Sequence, residues 1–109
     1  RGTRPFLALG TLGGPTIPTT LLQVLLDIIV FKRSLAEAIE AARYHQQADP
    51  EDLFYESDRA SKPLLDALGA MGHGIRAREP IGDVQAVGFI GGRIVAVSDP
   101  RGHGAAGGY

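Results

Sequence analysis

Gly13 and Gly14 are the residues whose type and spacing invite chemistry. They lie in the stretch Gly10-Thr11-Leu12-Gly13-Gly14-Pro15, between the strand-like run Pro5-Phe6-Leu7-Ala8-Leu9 and a largely apolar helical run from Thr16 or Ile17 onward. Paired glycines at a strand-to-helix turn let the main chain approach a ligand with no Cβ in the way. The helix start behind them supplies unpaired N–H groups and the positive end of a dipole. Such a place suits an anion or a developing oxyanion. The same glycines would also serve a tight packing turn, and spacing alone does not choose between the two. No lysine follows them, which argues against a nucleotide phosphate loop.

The other reactive side chains assemble nothing comparable. Thr11, Thr16, Thr19, Thr20, Ser34, Ser57, Ser61 and Ser98 are the hydroxyls weighed as nucleophiles; none sits in a Gly-x-Ser-x-Gly elbow or beside an evident base. His45, His73 and His103 are far apart and lack partners at metal-ligand spacing, so the sequence calls for no metal and no cofactor. Arg43, Tyr44 and His45 read as a helix end with Arg43 in buried hydrogen bonds. Asp99-Pro100-Arg101 reads as an Asp-initiated turn with Arg101 paired to a carboxylate or carbonyl. Arg76, Arg78 and Arg93 read as solvated charge.

The elements that must position the glycine pair follow from periodicity. The apolar helix runs to about Val30-Phe31, with Lys32 and Arg33 at its negative end. Ser34-Leu35-Ala36-Glu37 is a capping-box pattern opening a second helix, Leu35 to about Ala42, with Leu35, Ala38, Ile39 and Ala42 on one face. Asp49-Pro50 marks a turn and Leu53-Phe54-Tyr55-Glu56 a short strand. A third helix spans about Ser61 to Met71 with Leu64, Leu65 and Leu68 as its apolar face, and Gly72 suits the left-handed residue that closes it. His73 to Arg78 alternates weakly, as an edge strand does. Val84 to Ile90 and Arg93 to Ser98, joined by Gly91-Gly92, form a hairpin. Both hairpin strands carry apolar residues on both faces, so the sheet needs cover on both sides. Three modest helices can cover one of them.

One domain is what 109 residues allow. With 11 basic against 12 acidic side chains, the chain has neither a nucleic-acid footprint nor a polybasic membrane anchor. Zero cysteines exclude disulfides and thiolate metal sites. The opening Arg1-Gly2-Thr3-Arg4 has no initiator methionine or signal-like region and runs almost at once into a strand, which reads as a cut within a larger protein or as a proteolytic fragment.

The order of motifs resembles the small subunit of γ-glutamyltransferases. The resemblance rests on a strand, Gly10-Thr11-Leu12-Gly13-Gly14, and an apolar helix containing Leu22-Gln23-Val24-Leu25-Leu26. It continues through Ser34-Leu35-Ala36-Glu37-Ala38-Ile39, Ala42-Arg43-Tyr44-His45-Gln46, Leu68-Gly69-Ala70-Met71-Gly72-His73 and the hairpin to Ser98-Asp99-Pro100-Arg101. It implies an α+β fold, part of the four-layer αββα sandwich of N-terminal nucleophile hydrolases, with mostly antiparallel strands and about three helices. Residues 1–109 would be the C-terminal portion of the small subunit. The family's activity would be cleavage of γ-glutamyl amides and transfer to water or an amine, by a self-cleaved N-terminal threonine upstream of this chain. Partners would be the rest of the small subunit and the large subunit, and the setting periplasmic or extracellular. The resemblance carries an oxyanion role over to the backbone N–H groups of Gly13 and Gly14. Leu12 stands where the family often has proline, and Pro15 where it has a polar residue. Pro15 removes one possible donor. The rival expectation is a catalytically silent domain that self-associates through its exposed apolar sheet.

Overall fold

A computed structural model describes residues 2–108; Arg1, read above as a cut end, lies outside the described residues. The elements run β1 (Leu7–Gly10), α1 (Thr16–Ile29), α2 (Leu35–Glu40), β2 (Tyr44–His45), β3 (Leu53–Glu56), α3 (Lys62–Ala70), β4 (Ile75–Arg78), β5 (Gln85–Ile90) and β6 (Arg93–Ser98). They form two units, one from the chain up to Glu40 and from Gly82 onward, the other Ala41–Ile81.

In the first unit β5 is the central strand of an antiparallel sheet ordered β1-β5-β6. The hairpin closes through Gly91 and Gly92, whose φ values of 59° and 77° are the pair that a two-residue turn of this hand needs. Leu7 pairs with Gly88 and Leu9 with Ala86, so alternate residues share a face. That face packs with Val24, Leu35, Ala38, Ile39 and Val84 into the buried core, joined by Leu7, Leu9, Ile28, Val95 and Val97. The opposite face leaves Val87, Phe89 and Ile94 exposed. The need for a second cover, read from the strands' two-sided apolar pattern, is therefore visible in the coordinates. Leu22, Leu26 and Ile29 on α1 are exposed as well.

The loop between α1 and α2 forms as its residues dictate. Lys32 takes a left-handed φ of 58° and its Nζ donates to the Ile29 carbonyl. Arg33 reaches Asp27 at 3.5 Å. Ser34 N–H donates to Glu37 Oε2 at 2.8 Å, and Glu37 N–H donates back to Ser34 Oγ at 3.2 Å, a reciprocal capping box. Hydrogen bonds from the Ser34 backbone and then its hydroxyl hold the Glu37 carboxyl below the usual glutamate range. A folded-state pKa that is depressed contributes stability above the unfolded pKa, lost as pH falls through the folded value. We therefore expect hydrogen-exchange protection at Ser34 and Glu37 to fall on acidification through the low carboxylate range, and Glu37→Gln to flatten that dependence. Protection that is independent of acid in the native protein would refute the role of the cap.

The second unit holds a sheet ordered β2-β3-β4, with β2 antiparallel and β4 parallel to β3. A parallel neighbour needs a crossover, which α3 supplies. Its buried charge centre is Glu56: Oε1 accepts the Arg43 N–H at 2.8 Å, Oε2 accepts the Ile81 N–H at 2.8 Å, and Arg43 Nη1 donates to the Ile81 carbonyl at 2.7 Å. This arrangement corrects the second helix, expected to reach Ala42. It stops at Glu40, because Arg43 N–H is committed to Glu56 and Tyr44–His45 to pairing with β3. The arginine surface is also more structured than expected. Arg76 pairs with Asp52 at 2.7 Å, and the Arg76 and Arg78 guanidiniums stand 5.9 and 5.5 Å from the centroid of the Phe54 ring. The leucine face of α3 buries no residue.

Candidate functional site

The glycine pair sits in a loop whose two ends are tied down by threonine hydroxyls. β1 ends at Gly10, paired with Gln85. The next residue, Thr11, accepts the Asp83 N–H on Oγ1 at 2.9 Å and donates to the Leu12 carbonyl at 2.9 Å. At the far end Thr16 begins α1, and both its N–H (3.2 Å) and its Oγ1 (2.9 Å) donate to the Gly13 carbonyl. Ile17 N–H donates to the Gly14 carbonyl at 3.1 Å.

Between these ties the backbone takes a course that only glycine follows easily. Gly13 has φ 135° and Gly14 φ 58°. A Cβ on Gly13 would collide with Thr16 Oγ1, whereas one on Gly14 would meet open space. Both carbonyls point into the first turn of α1, and in a trans peptide the N–H lies opposite the C=O. The Gly14 N–H is thereby turned away from the helix start. Among the described residues no acceptor takes the N–H of Gly13 or Gly14, and both residues are exposed.

The helix itself contributes less than its sequence promises. Pro15 and Pro18 have no N–H, and the Thr16 and Ile17 donors are spent on the glycine carbonyls. The expected supply of unpaired helix-start donors thus narrows to two adjacent groups, those of Gly13 and Gly14. Pro15 precedes the helix at φ -60°, already in helical conformation, and offers no side-chain cap. Two adjacent, unspent N–H groups beside a positive helix end can stabilise a negative oxygen.

The remaining sequence candidates serve structure. Asp99 Oδ2 accepts the Val84 N–H at 2.8 Å, and Asp99 Oδ1 accepts the Arg101 N–H at 3.0 Å. Arg101 Nη1 reaches both Asp99 Oδ1 at 3.2 Å and the Ile39 carbonyl at 2.7 Å, so the predicted turn and its pairing are present together. Arg43 and His45 belong to the second unit, where His45 Nε2 and Gln47 Oε1 are 2.8 Å apart and both Arg43 and His45 are buried. Sequence reasoning missed Glu56, read only as the end of a strand. It weighed Thr11 and Thr16 only as nucleophiles. The available signal for Thr16 was its place three residues after Gly13, the spacing at which a threonine hydroxyl reaches back to a turn carbonyl.

Comparison with known proteins gives the family. A family model for gamma-glutamyltranspeptidase matches residues 1–109. The chain is 37% identical over 101 residues to a glutathione hydrolase proenzyme of Pseudomonas aeruginosa, covering 90% of this chain and 18% of that protein. It is 34% identical over 100 residues to a glutathione hydrolase proenzyme of Escherichia coli, covering 90% of this chain and 17% of that protein. The crystal structure of a gamma-glutamyltranspeptidase from Pseudomonas nitroreducens complexed with L-DON superposes with a TM-score of 0.92 at 34% identity, over all of this chain and 58% of that one. The fold is thus α+β of the N-terminal nucleophile hydrolase class, with three helices and three of four strand pairings antiparallel among the described residues. Within that class the chain belongs to the gamma-glutamyltranspeptidase family. It spans less than a fifth of the length of the curated relatives it matches.

Proposed function

We propose that these residues are the C-terminal portion of the small subunit of a γ-glutamyl amidohydrolase or acyltransferase, and that Gly13 and Gly14 are its oxyanion donors. The observation that carries the reading is the pair of adjacent, unspent glycine N–H groups held at positive φ between a strand and a helix. The names of the similar proteins support γ-glutamyl amides, glutathione among them, as the substrate class. A threonine hydroxyl outside the 109 residues, activated by its own α-amino group, attacks the amide carbonyl. The Gly13 and Gly14 N–H groups receive the negative oxygen of the tetrahedral intermediate as the carbonyl π bond opens. That oxygen re-forms the carbonyl as the amine leaves carrying the proton that the α-amino group took from the hydroxyl, and water or an acceptor amine then resolves the acyl-enzyme. No hydroxyl of this chain takes the nucleophile's part.

A second reading draws on the exposed apolar face formed by Val87, Phe89 and Ile94: a silent domain that self-associates through that face. One experiment separates the two. The complete protein should release the aniline from a γ-glutamyl anilide, and the 109-residue chain alone should not, with light scattering run alongside. An inactive complete protein whose isolated chain forms a defined oligomer would favour the second reading. Turnover by the chain alone would sink the assignment of the nucleophile to another segment.

A further inference from the structure

We infer that Thr16 is a positioning residue: its hydroxyl locks the Gly13–Gly14 peptide in the orientation that presents the Gly14 N–H. The inference rests on the oxyanion reading of the glycine pair and goes one step deeper. A peptide between two glycines flips easily, because neither flanking residue has a Cβ to resist the compensating rotations. Flipped, the Gly13–Gly14 unit would offer a carbonyl oxygen where a donor is required, and an oxyanion would meet repulsion in place of stabilisation. Something must hold the donor-out state.

Thr16 supplies that holding group. The Gly13 carbonyl receives two hydrogen bonds, both from Thr16, and the one from Oγ1 at 2.9 Å is shorter than the one from the N–H at 3.2 Å. Thr16 is buried, at 4% exposure, so its hydroxyl makes this bond away from competing water. The bond has the i to i−3 spacing usual for a threonine hydroxyl, but its acceptor lies outside the helix, in the glycine loop. Thr19 makes the same bond inside α1, donating to the Thr16 carbonyl at 3.1 Å, while Thr20 Oγ1 is buried with no partner among the described residues. Thr16 reaches out of α1 to the one carbonyl whose orientation decides which way the Gly14 N–H points. Pro15 strengthens the requirement, because the next residue has no N–H to substitute for a donor that turns away.

The test uses the complete protein with Thr16→Val, which keeps the shape and removes the hydroxyl, and Thr16→Ser, which keeps the hydroxyl. One neutral hydrogen bond corresponds to roughly a five- to tenfold change in an equilibrium, and that factor is the expected fall in kcat for a γ-glutamyl anilide in Thr16→Val. KM should stay within about twofold, since ground-state binding does not use the donors. Affinity for a glutamate γ-boronate, whose tetrahedral adduct puts an oxygen in the donor site, should weaken with kcat. Thr16→Ser should recover most of both. A parallel arm replaces the Gly13 amide by an ester, deleting that N–H without altering the Gly13 carbonyl. If the ester loses turnover while Thr16→Val keeps it, the lock is overturned and the oxyanion reading stands. If the ester itself keeps turnover, Gly13 is no donor, and the lock on Gly14 then stands or falls with the loss in Thr16→Val and its rescue by serine. A rise in KM with unchanged kcat, or failure of serine to rescue, also overturns the lock. Should Thr16→Val not fold, Thr16→Ala is judged by the same constants.

Discussion

Exchanging the Gly13 amide for an ester in the complete protein is expected to lower kcat by about 10²–10³-fold, the loss of roughly 3–4 kcal/mol that follows removal of one oxyanion donor. The exchange deletes the N–H and puts an oxygen lone pair in its place while sparing the backbone shape. Side-chain substitution is the poorer probe here. A Cβ at Gly13 strikes Thr16 Oγ1, and φ 135° disfavours any L side chain, so Gly13→Val would move the loop as well as alter the donor. The full effect is expected because, among the described residues, the first positions of the helix have no free N–H to take over. Pro15 and Pro18 carry no N–H, and the Thr16 and Ile17 groups are spent on Gly13 and Gly14. KM should change little, since a planar ground-state carbonyl makes weaker demands on the donors than the tetrahedral oxygen does. Steady-state kinetics with a γ-glutamyl anilide decide the matter. Turnover within about threefold of the unmodified protein would be too small for a lost oxyanion donor and would refute the assignment.

The elements around the glycine pair were legible because their signals are local. The capping box, the hairpin glycines, the apolar period of α1 and the Asp99 turn each depend on residues within a few positions, and each forms where it was read. What escaped were partnerships across long separations. The Glu56 carboxylate finds the Arg43 and Ile81 amides 13 and 25 residues away, and no local pattern marks that carboxylate as buried. The end of α2 was misjudged for the same reason, since Ala41 and Ala42 have helix-forming character and a distant carboxylate overrides it. Thr11 was legible as a hydroxyl but not as the anchor for Asp83, 72 residues on. The geometry of the glycine loop was half readable. Composition gives two glycines after a strand, but only the coordinates show that the helix-start donors are consumed and the glycine donors are not.

Asp99→Ala is expected to destabilise the protein by about 3–5 kcal/mol, the cost of breaking a buried ion pair from one side. The Asp99 and Arg101 side chains are 0% and 1% exposed, and their contact is 3.2 Å. Removing the carboxylate orphans the Val84 and Arg101 N–H groups and leaves the guanidinium buried with the Ile39 carbonyl as a remaining acceptor. Asp99→Asn, which keeps one acceptor oxygen, should cost less. Adding Arg101→Met to Asp99→Ala should recover part of the loss, because it removes the uncompensated charge. It cannot recover all of it, since Val84 N–H would still lack its acceptor. The consequence reaches the site through the backbone. Val84 leads into β5, and its neighbour Asp83 donates the N–H that holds Thr11 at the start of the glycine loop. We therefore expect Asp99→Ala to shift the urea midpoint and also to loosen the loop, raising amide exchange at Asp83 before global unfolding. A urea-midpoint loss below about 1 kcal/mol, within the range of an exposed ion pair, would mean that Asp99 and Arg101 do not form the staple that fixes the loop's anchor.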